Sequence, residues 1–137
     1  MTNIEERIPH RPPMLLLDEV VEQSAEEIHC RKKFSADEFF FQGHYPDNPI
    51  VPGVILCEAA MQAGAVLLSE LVSEAAGVPV ATRMNNVQFR RIVRPGETID
   101  IHVVLEDAAG GAFRLKARVV CDGSLSARLE FACMMAS

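Results

Sequence analysis

Two residues in a proline-rich segment have the types and spacing for acid–base chemistry: His44 and Glu58. Prolines fall between them at positions 46, 49 and 52. Each proline fixes its own φ and pushes the residue before it toward an extended conformation. The run therefore reads as a stiff loop with His44 near its start and a helix at its end. Stiffness matters because a reacting group must be held in place. A neutral imidazole is a base matched to physiological pH. Glu58 falls in the second turn of the helix, among apolar residues, where a lone carboxylate is costly. Desolvation can raise such a pKa by up to ~3–5 units, whereas a helix N-terminus favours the anion by only ~0.3–1 kcal/mol. If the site is dry, Glu58 is a protonated acid at neutral pH. Gln62 lies four residues on, on the same helical face, and can hydrogen-bond that carboxyl. The Gly53 and Val54 amides sit where the helix begins, and free N–H groups there can hold an oxyanion. A base, an acid and an oxyanion site suit removal of a proton α to a carbonyl with loss of a β-hydroxyl. Each residue type also has an ordinary use. A loop histidine is usually solvated, a glycine at a helix start is usually structural, and spacing alone does not bring His44 to Glu58.

The elements that must position these groups are legible around them. From Val54 to Val78 the chain is rich in Ala, Leu and Met and has no proline. It predicts one helix from Gly53 to about Ala76, stopped by Gly77-Val78-Pro79. The first half of that helix is apolar on nearly every face, which predicts burial on all sides. Alternation of apolar and polar residues predicts strands at 99–103, 113–119 and 125–131. Val87–Val93 is another, and Leu15–Glu22 and Glu27–Phe34 are two more, with a short helix or loop at 36–41. Ala109-Gly110-Gly111-Ala112 and Asp122-Gly123-Ser124 are hairpin signals. About six strands with short connections form an antiparallel sheet. A helix buried on all faces must be wrapped by it. The expected class is α+β, a curled antiparallel sheet around one long central helix.

Composition narrows the function. The chain has 137 residues, 49% of them hydrophobic, with 13 Lys+Arg against 19 Asp+Glu and a net charge of −6. That length fits one domain over residues 1–137. Both nucleic acid and acidic membranes reward clustered basic charge, so neither is expected as a partner. The longest apolar stretch is short of the ~20 residues a membrane span needs. Cys30, Cys57, Cys121 and Cys133 form neither a paired motif nor a zinc pattern, so they read as reduced, mostly buried thiols. The opening residues lack the basic and apolar regions of a signal peptide, and the cytoplasm is the expected compartment.

The segment Phe40-Phe41-Gln42-Gly43-His44-Tyr45-Pro46-Asp47-Asn48-Pro49-Ile50-Val51-Pro52-Gly53-Val54, followed by Glu58, Gln62 and Gly64, resembles the signature of the β-hydroxyacyl-(acyl carrier protein) dehydratases of type II fatty acid synthesis. Ile8-Pro9-His10-Arg11-Pro12-Pro13-Met14-Leu15-Leu16-Leu17-Asp18 resembles that family's N-terminal block. Val87-Gln88-Phe89-Arg90-Arg91 and Val93-Arg94-Pro95-Gly96-Glu97 resemble its third. The resemblance implies the hot-dog fold and a homodimer whose two sites lie at the interface, with the histidine from one subunit and the glutamate from the other. Dimers of this family often assemble further, into hexamers. It implies that His44 is the base, Glu58 the acid, the Gly53 amide with Val54 the holder of the thioester oxygen, and Gln62 the residue that orients the acid. The substrate implied is a (3R)-3-hydroxyacyl chain on carrier protein, giving a trans-2-enoyl chain and water, with no metal or diffusible cofactor. Tyr45, Asp47-Asn48 and Cys57 depart from the family pattern without removing a catalytic group. Glutamate at 58, where the dehydratase/isomerase branch carries aspartate, favours the dehydratase-only branch.

Acyl carrier protein is acidic, so a chain of net charge −6 needs a local basic face to dock it. Arg90, Arg91 and Arg94 cluster in sequence with Arg83 nearby, and neighbours on a strand cannot share a side, so about two of the four would contribute. Two rival readings remain: a hot-dog acyl thioesterase, and a non-catalytic subunit of a heteromeric dehydratase, which would normally have lost the histidine or the glutamate.

Overall fold

The computed structural model describes residues 3–72 and 77–136. A one-turn helix α1 (Ile4–Arg7) opens the chain. Strands β1 (Glu19–Gln23) and β2 (Glu27–Lys33) follow, then a 3-10 turn at Phe39–Phe41 and the helix α2 (Gly53–Ser69). Four longer strands complete it: β3 (Val78–Phe89), β4 (Thr98–Ala109), β5 (Ala112–Cys121) and β6 (Ser124–Ala136). They form one six-stranded sheet in the order β1-β2-β4-β5-β6-β3, and every pairing is antiparallel. Residues alternate along β5 and much of β4, so that Ile99, Ile101, Val103, Phe113, Leu115, Ala117 and Val119 are buried. Those side chains meet Leu56, Ala59, Ala60, Ala63, Val66, Leu67 and Leu68 of α2 in one core. The sheet curls around the helix, as the α+β hot-dog expectation requires.

The hairpins form where the turn signals lie. Gly110 and Gly111 both take positive φ between β4 and β5, and Asp122 and Gly123 do so between β5 and β6. Two successive positive φ values give the turn whose twist matches that of paired strands.

Several boundaries differ from expectation: β4, β5 and β6 run longer than the alternating stretches that announced them. Helix α2 ends at Ser69, where the Val66 carbonyl is taken by side chains: Arg7 donates from Nη2 to Val66 O (2.7 Å), Ser69 Oγ donates to the same oxygen (2.6 Å), and the Glu70 amide turns to Leu67 O instead (3.4 Å). Glu70–Val72 leave the helix, and the remainder of the expected helix, 73–76, lies outside the described residues. Strand β3 begins nine residues before Val87 and ends at Phe89. Its Pro79 and paired asparagines read as irregular, but β3 is an edge strand, where proline and bulges are tolerated. Strand β1 starts only at Glu19, because the Leu16 amide pairs with the Gln62 side chain instead of a strand. Burial of α2 is also incomplete: a strip at Val54, Glu58 and Met61 is not covered by the chain's own sheet, and Val54 is 68% exposed.

Candidate active site

His44 stands in the loop that delivers the chain to α2. The loop is pinned where the Val51 amide donates to Val93 O (2.8 Å) and where Arg94 Nη1 donates to Asn48 Oδ1 (2.8 Å). His44 Nδ1 lies 3.1 Å from the Ile50 carbonyl oxygen. A carbonyl only accepts, so Nδ1 carries the proton and Nε2 keeps its lone pair. That is the tautomer a general base needs. The exposed Tyr45 ring stands edge-on to the imidazole, with centroids 4.7 Å apart.

Pro52 caps α2 without a side-chain hydrogen bond, and its carbonyl accepts from Ile55 and Leu56. The Gly53 and Val54 amides have no acceptor among the described residues. They are the free N–H groups expected at a helix start. A Cβ at Gly53 would lie 2.8 Å from Phe89 Cε1, so the absence of a side chain there lets the Phe89 ring close over the helix start.

Glu58 is not dry in the single chain, since its side chain is 28% exposed. The burial assumed in the sequence argument is therefore not supplied by the chain's own sheet, because Glu58 lies on the uncovered strip of α2. Gln62 holds the carboxyl as expected. Gln62 is only 1% exposed, its Oε1 accepts from the Leu16 amide (2.8 Å), and its Nε2 donates to Met14 O (2.8 Å) and to Glu58 Oε2 (2.9 Å). The Leu16 amide fixes which way the Gln62 amide points, so a donor always faces Glu58. Within one chain no hydrogen bond or ion pair among the described residues joins His44 to Glu58.

One neighbour of Glu58 was given no role by the sequence argument. His10 Nε2 lies 3.7 Å from Glu58 Oε2, and His10 Nδ1 is buried with no hydrogen-bond partner among the described residues. The signal available was a histidine inside the quoted N-terminal block, with no spacing rule to connect it to residue 58.

The four arginines do not form one free patch. Arg91 is bound by both oxygens of Glu97 (3.2 and 2.7 Å) and also donates to Ile92 O and Cys121 Sγ. This pairing, helped by the Arg94 amide, holds the Glu97 carboxyl below the usual carboxylate range despite some opposing desolvation. Arg94 is spent on Asn48, and Arg90 approaches only Gln88 Oε1, at 3.4 Å. Arg83 lies on the edge strand β3 and is exposed. All four cysteines are free and buried. Burial pushes Cys30 up to about 12 and Cys133 to about 11, and raises Cys57 and Cys121 as well, so these thiols are poor nucleophiles.

Comparison with known proteins adds to this geometry. Residues 8–130 match the model of the FabA-like domain. The 3-hydroxyacyl-(acyl-carrier-protein) dehydratase FabZ of Oenococcus oeni is 42% identical over 134 residues, covering 95% of this chain and 96% of that protein. The FabZ of Syntrophobacter fumaroxidans is 40% identical over 90% of this chain and 84% of its own. Among solved structures, the dehydratase heterocomplex ApeI:P from Xenorhabdus doucetiae superposes with a TM-score of 0.84 at 19% identity, covering 100% of this chain and 93% of that one. A hypothetical thioesterase protein with coenzyme A from Streptococcus pneumoniae shares the fold at a TM-score of 0.69 and 9% identity, over 87% of this chain and 85% of that one. At these identities the structural likenesses show the fold alone, and dehydratase and thioesterase share it. The sequence likeness is of another order, and by it the chain belongs to the FabA-like family, alongside the FabZ dehydratases.

Proposed function

We propose that the chain dehydrates a (3R)-3-hydroxyacyl group carried on acyl carrier protein, in fatty acid or related acyl-chain synthesis. The observation that carries this reading is the Gln62 lock, which keeps a donor on Glu58 and holds that carboxyl at a fixed place on α2. In the reaction the Gly53 and Val54 amides hold the thioester oxygen and stabilise the enolate charge. His44 Nε2 removes the proton on C2. As the C2–C3 double bond forms, the C3–O bond breaks and Glu58 delivers its proton to the departing hydroxyl, which leaves as water. The elimination leaves His44 protonated and Glu58 ionised, and proton exchange with solvent restores both.

The site is completed by a second copy. His44 and Glu58 do not meet within one chain, and the strip at Val54, Glu58 and Met61 lies open. The edge strand β3 bears exposed Val78, Val80, Met84 and, at its end, Phe89. A long apolar edge is a template for pairing. A homodimer that joins two β3 edges covers these surfaces and dries Glu58. The acyl chain then runs along the α2 strip between Val54 and Met61. Hexamers, as trimers of such dimers, are a further step of the same assembly. Among the described residues no helix is long and apolar enough to cross a membrane. The free buried thiols accord with a cytoplasmic setting.

For carrier-protein docking, Arg90 remains the better candidate, since Arg91 is neutralised by Glu97, Arg94 is tied to Asn48 in the loop that carries His44, and Arg83 sits on the proposed dimer edge. Arg90→Glu should raise KM for carrier-bound substrate and leave KM for a pantetheine thioester unchanged. Equal effects on both substrates would remove this arginine from docking.

The reaction itself is tested with a 3-hydroxybutyryl thioester, following enoyl absorbance and free thiol together. Enoyl formation without thiol release is expected. Thiol release without enoyl formation would make the chain a thioesterase.

A further inference from the structure

We infer that His10 is a positioning residue for the acid, an N–H donor that works with Gln62 on a single oxygen of Glu58 and so assigns the transferable proton to the other. The inference rests on the dehydratase reading above and deepens it. Three observations carry it. The Gln62 amide is oriented by the Leu16 N–H on its Oε1, so its Nε2 donates to Glu58 Oε2. His10 Nε2 faces that same oxygen from the opposite segment, at 3.7 Å. His10 Nδ1 is buried without a partner. A proton on Nδ1 would leave a donor orphaned in the interior, whereas Nε2 is the ring nitrogen 3.7 Å from the carboxyl oxygen. The neutral ring therefore carries its hydrogen on Nε2.

This tautomer is the opposite of the one at His44, whose Nδ1 is committed to the Ile50 carbonyl. The two histidines are thus divided by role. His44 presents a lone pair and is the base. His10 presents an N–H and cannot accept the substrate proton, although it is the one beside Glu58 in the chain. With the Gln62 donor on Oε2 and the His10 N–H beside it, a hydrogen on Oε2 would meet two donors. The acidic proton resides on Oε1, the oxygen free to meet the 3-hydroxyl. At 3.7 Å the His10 interaction is longer than a hydrogen bond and is an electrostatic one. It strengthens as Glu58 gives up its proton and gains negative charge, so it favours the transition state over the ground state.

The test separates donor from shape. His10→Phe keeps a ring in the segment and removes the N–H, and His10→Gln restores an N–H without the ring. With a 3-hydroxybutyryl thioester, His10→Phe should lower kcat about tenfold with KM within twofold, and His10→Gln should recover most of the loss. Unchanged kcat in His10→Phe overturns the inference, as does equal loss in both variants, or a loss carried by KM alone, which would mark a groove-lining residue. Wild-type protein that forms no enoyl product would instead overturn the dehydratase reading, so the two failures are distinguishable.

Discussion

At the scale of single residues, the proposed site works by committing every polar atom that is not needed for chemistry. His44 spends Nδ1 on Ile50, and Gln62 spends its whole amide on Met14, Leu16 and Glu58. What is left over is one lone pair and one carboxyl oxygen. Loss of a general acid or base costs about 10²–10⁴-fold. His44→Ala and Glu58→Gln should therefore each lower kcat at least about 10²-fold in the enoyl assay, with circular dichroism unchanged. A near-normal rate in either variant would take that residue out of the mechanism. Types and spacing made the contact of Gln62 with Glu58 readable in advance, since i and i+4 on a helix must be neighbours. His10 was not readable, because its meeting with Glu58 depends on how the N-terminal segment folds back over α2. The condition that Glu58 be dry was left open for a related reason: an apolar sequence around a residue does not say which chain covers it.

At the scale of elements, alternation and turn signals disclosed β4, β5 and β6 well, since both are local properties. The edge strands β1 and β3 were harder, because their limits are set by partners. Leu16 gives its amide to Gln62, and β3 gains its first half by pairing Val78–Met84 with β6. Sheet and helix approach closely at Gly64, where a Cβ would lie 2.7 Å from Phe131 Cζ and 3.3 Å from Leu115 Cδ2. Both neighbours are buried and have no space to yield. Gly64→Ala should cost about 1–3 kcal/mol in urea denaturation, in the range of overpacked cores. A neutral result would mean the sheet relaxes around the helix.

A second element-scale prediction concerns the outer face of the sheet. His29, His102, Arg118 and Arg128 stand in one cross-strand row, and the two imidazoles stack with centroids 4.2 Å apart. Desolvation, then His29 and Arg118, hold His102 below the usual imidazole range, against an opposing pull from Asp100. A lowered folded-state pKa means the unfolded chain takes up the proton first. The stability is complete above the ordinary imidazole value of ~6.5 and is lost as pH falls from there toward the folded value. Asp100 is itself held low: desolvation pushes it up, but the hydrogen bonds and charges of His29 and Arg31 together outweigh that push, so its own contribution is lost only in stronger acid. Urea midpoints should fall from pH 8 to pH 5.5, and His102→Gln should flatten that decline. An identical decline in the variant would place the effect elsewhere.

At the scale of the whole molecule, a net charge of −6 and an apolar edge at β3 act in different directions. The charge opposes association of two copies only weakly at physiological salt, where screening acts over about 8 Å. The apolar edge and the open strip of α2 favour association, and function requires it if His44 of one copy serves Glu58 of the other. That arrangement makes a strong prediction about mixtures. His44→Ala and Glu58→Gln proteins are each inactive alone. In a mixed dimer one site carries both lesions, while the other keeps an intact His44 from one chain and an intact Glu58 from its partner. Co-refolding equal amounts should return about a quarter of wild-type activity, since half the dimers are mixed and half of their sites are whole. A site built within a single chain would give no recovery at any ratio. Recovery that appears only after subunits exchange, and that follows the mixed-dimer fraction measured by native mass spectrometry, would tie catalysis to the interface rather than to folding of either variant.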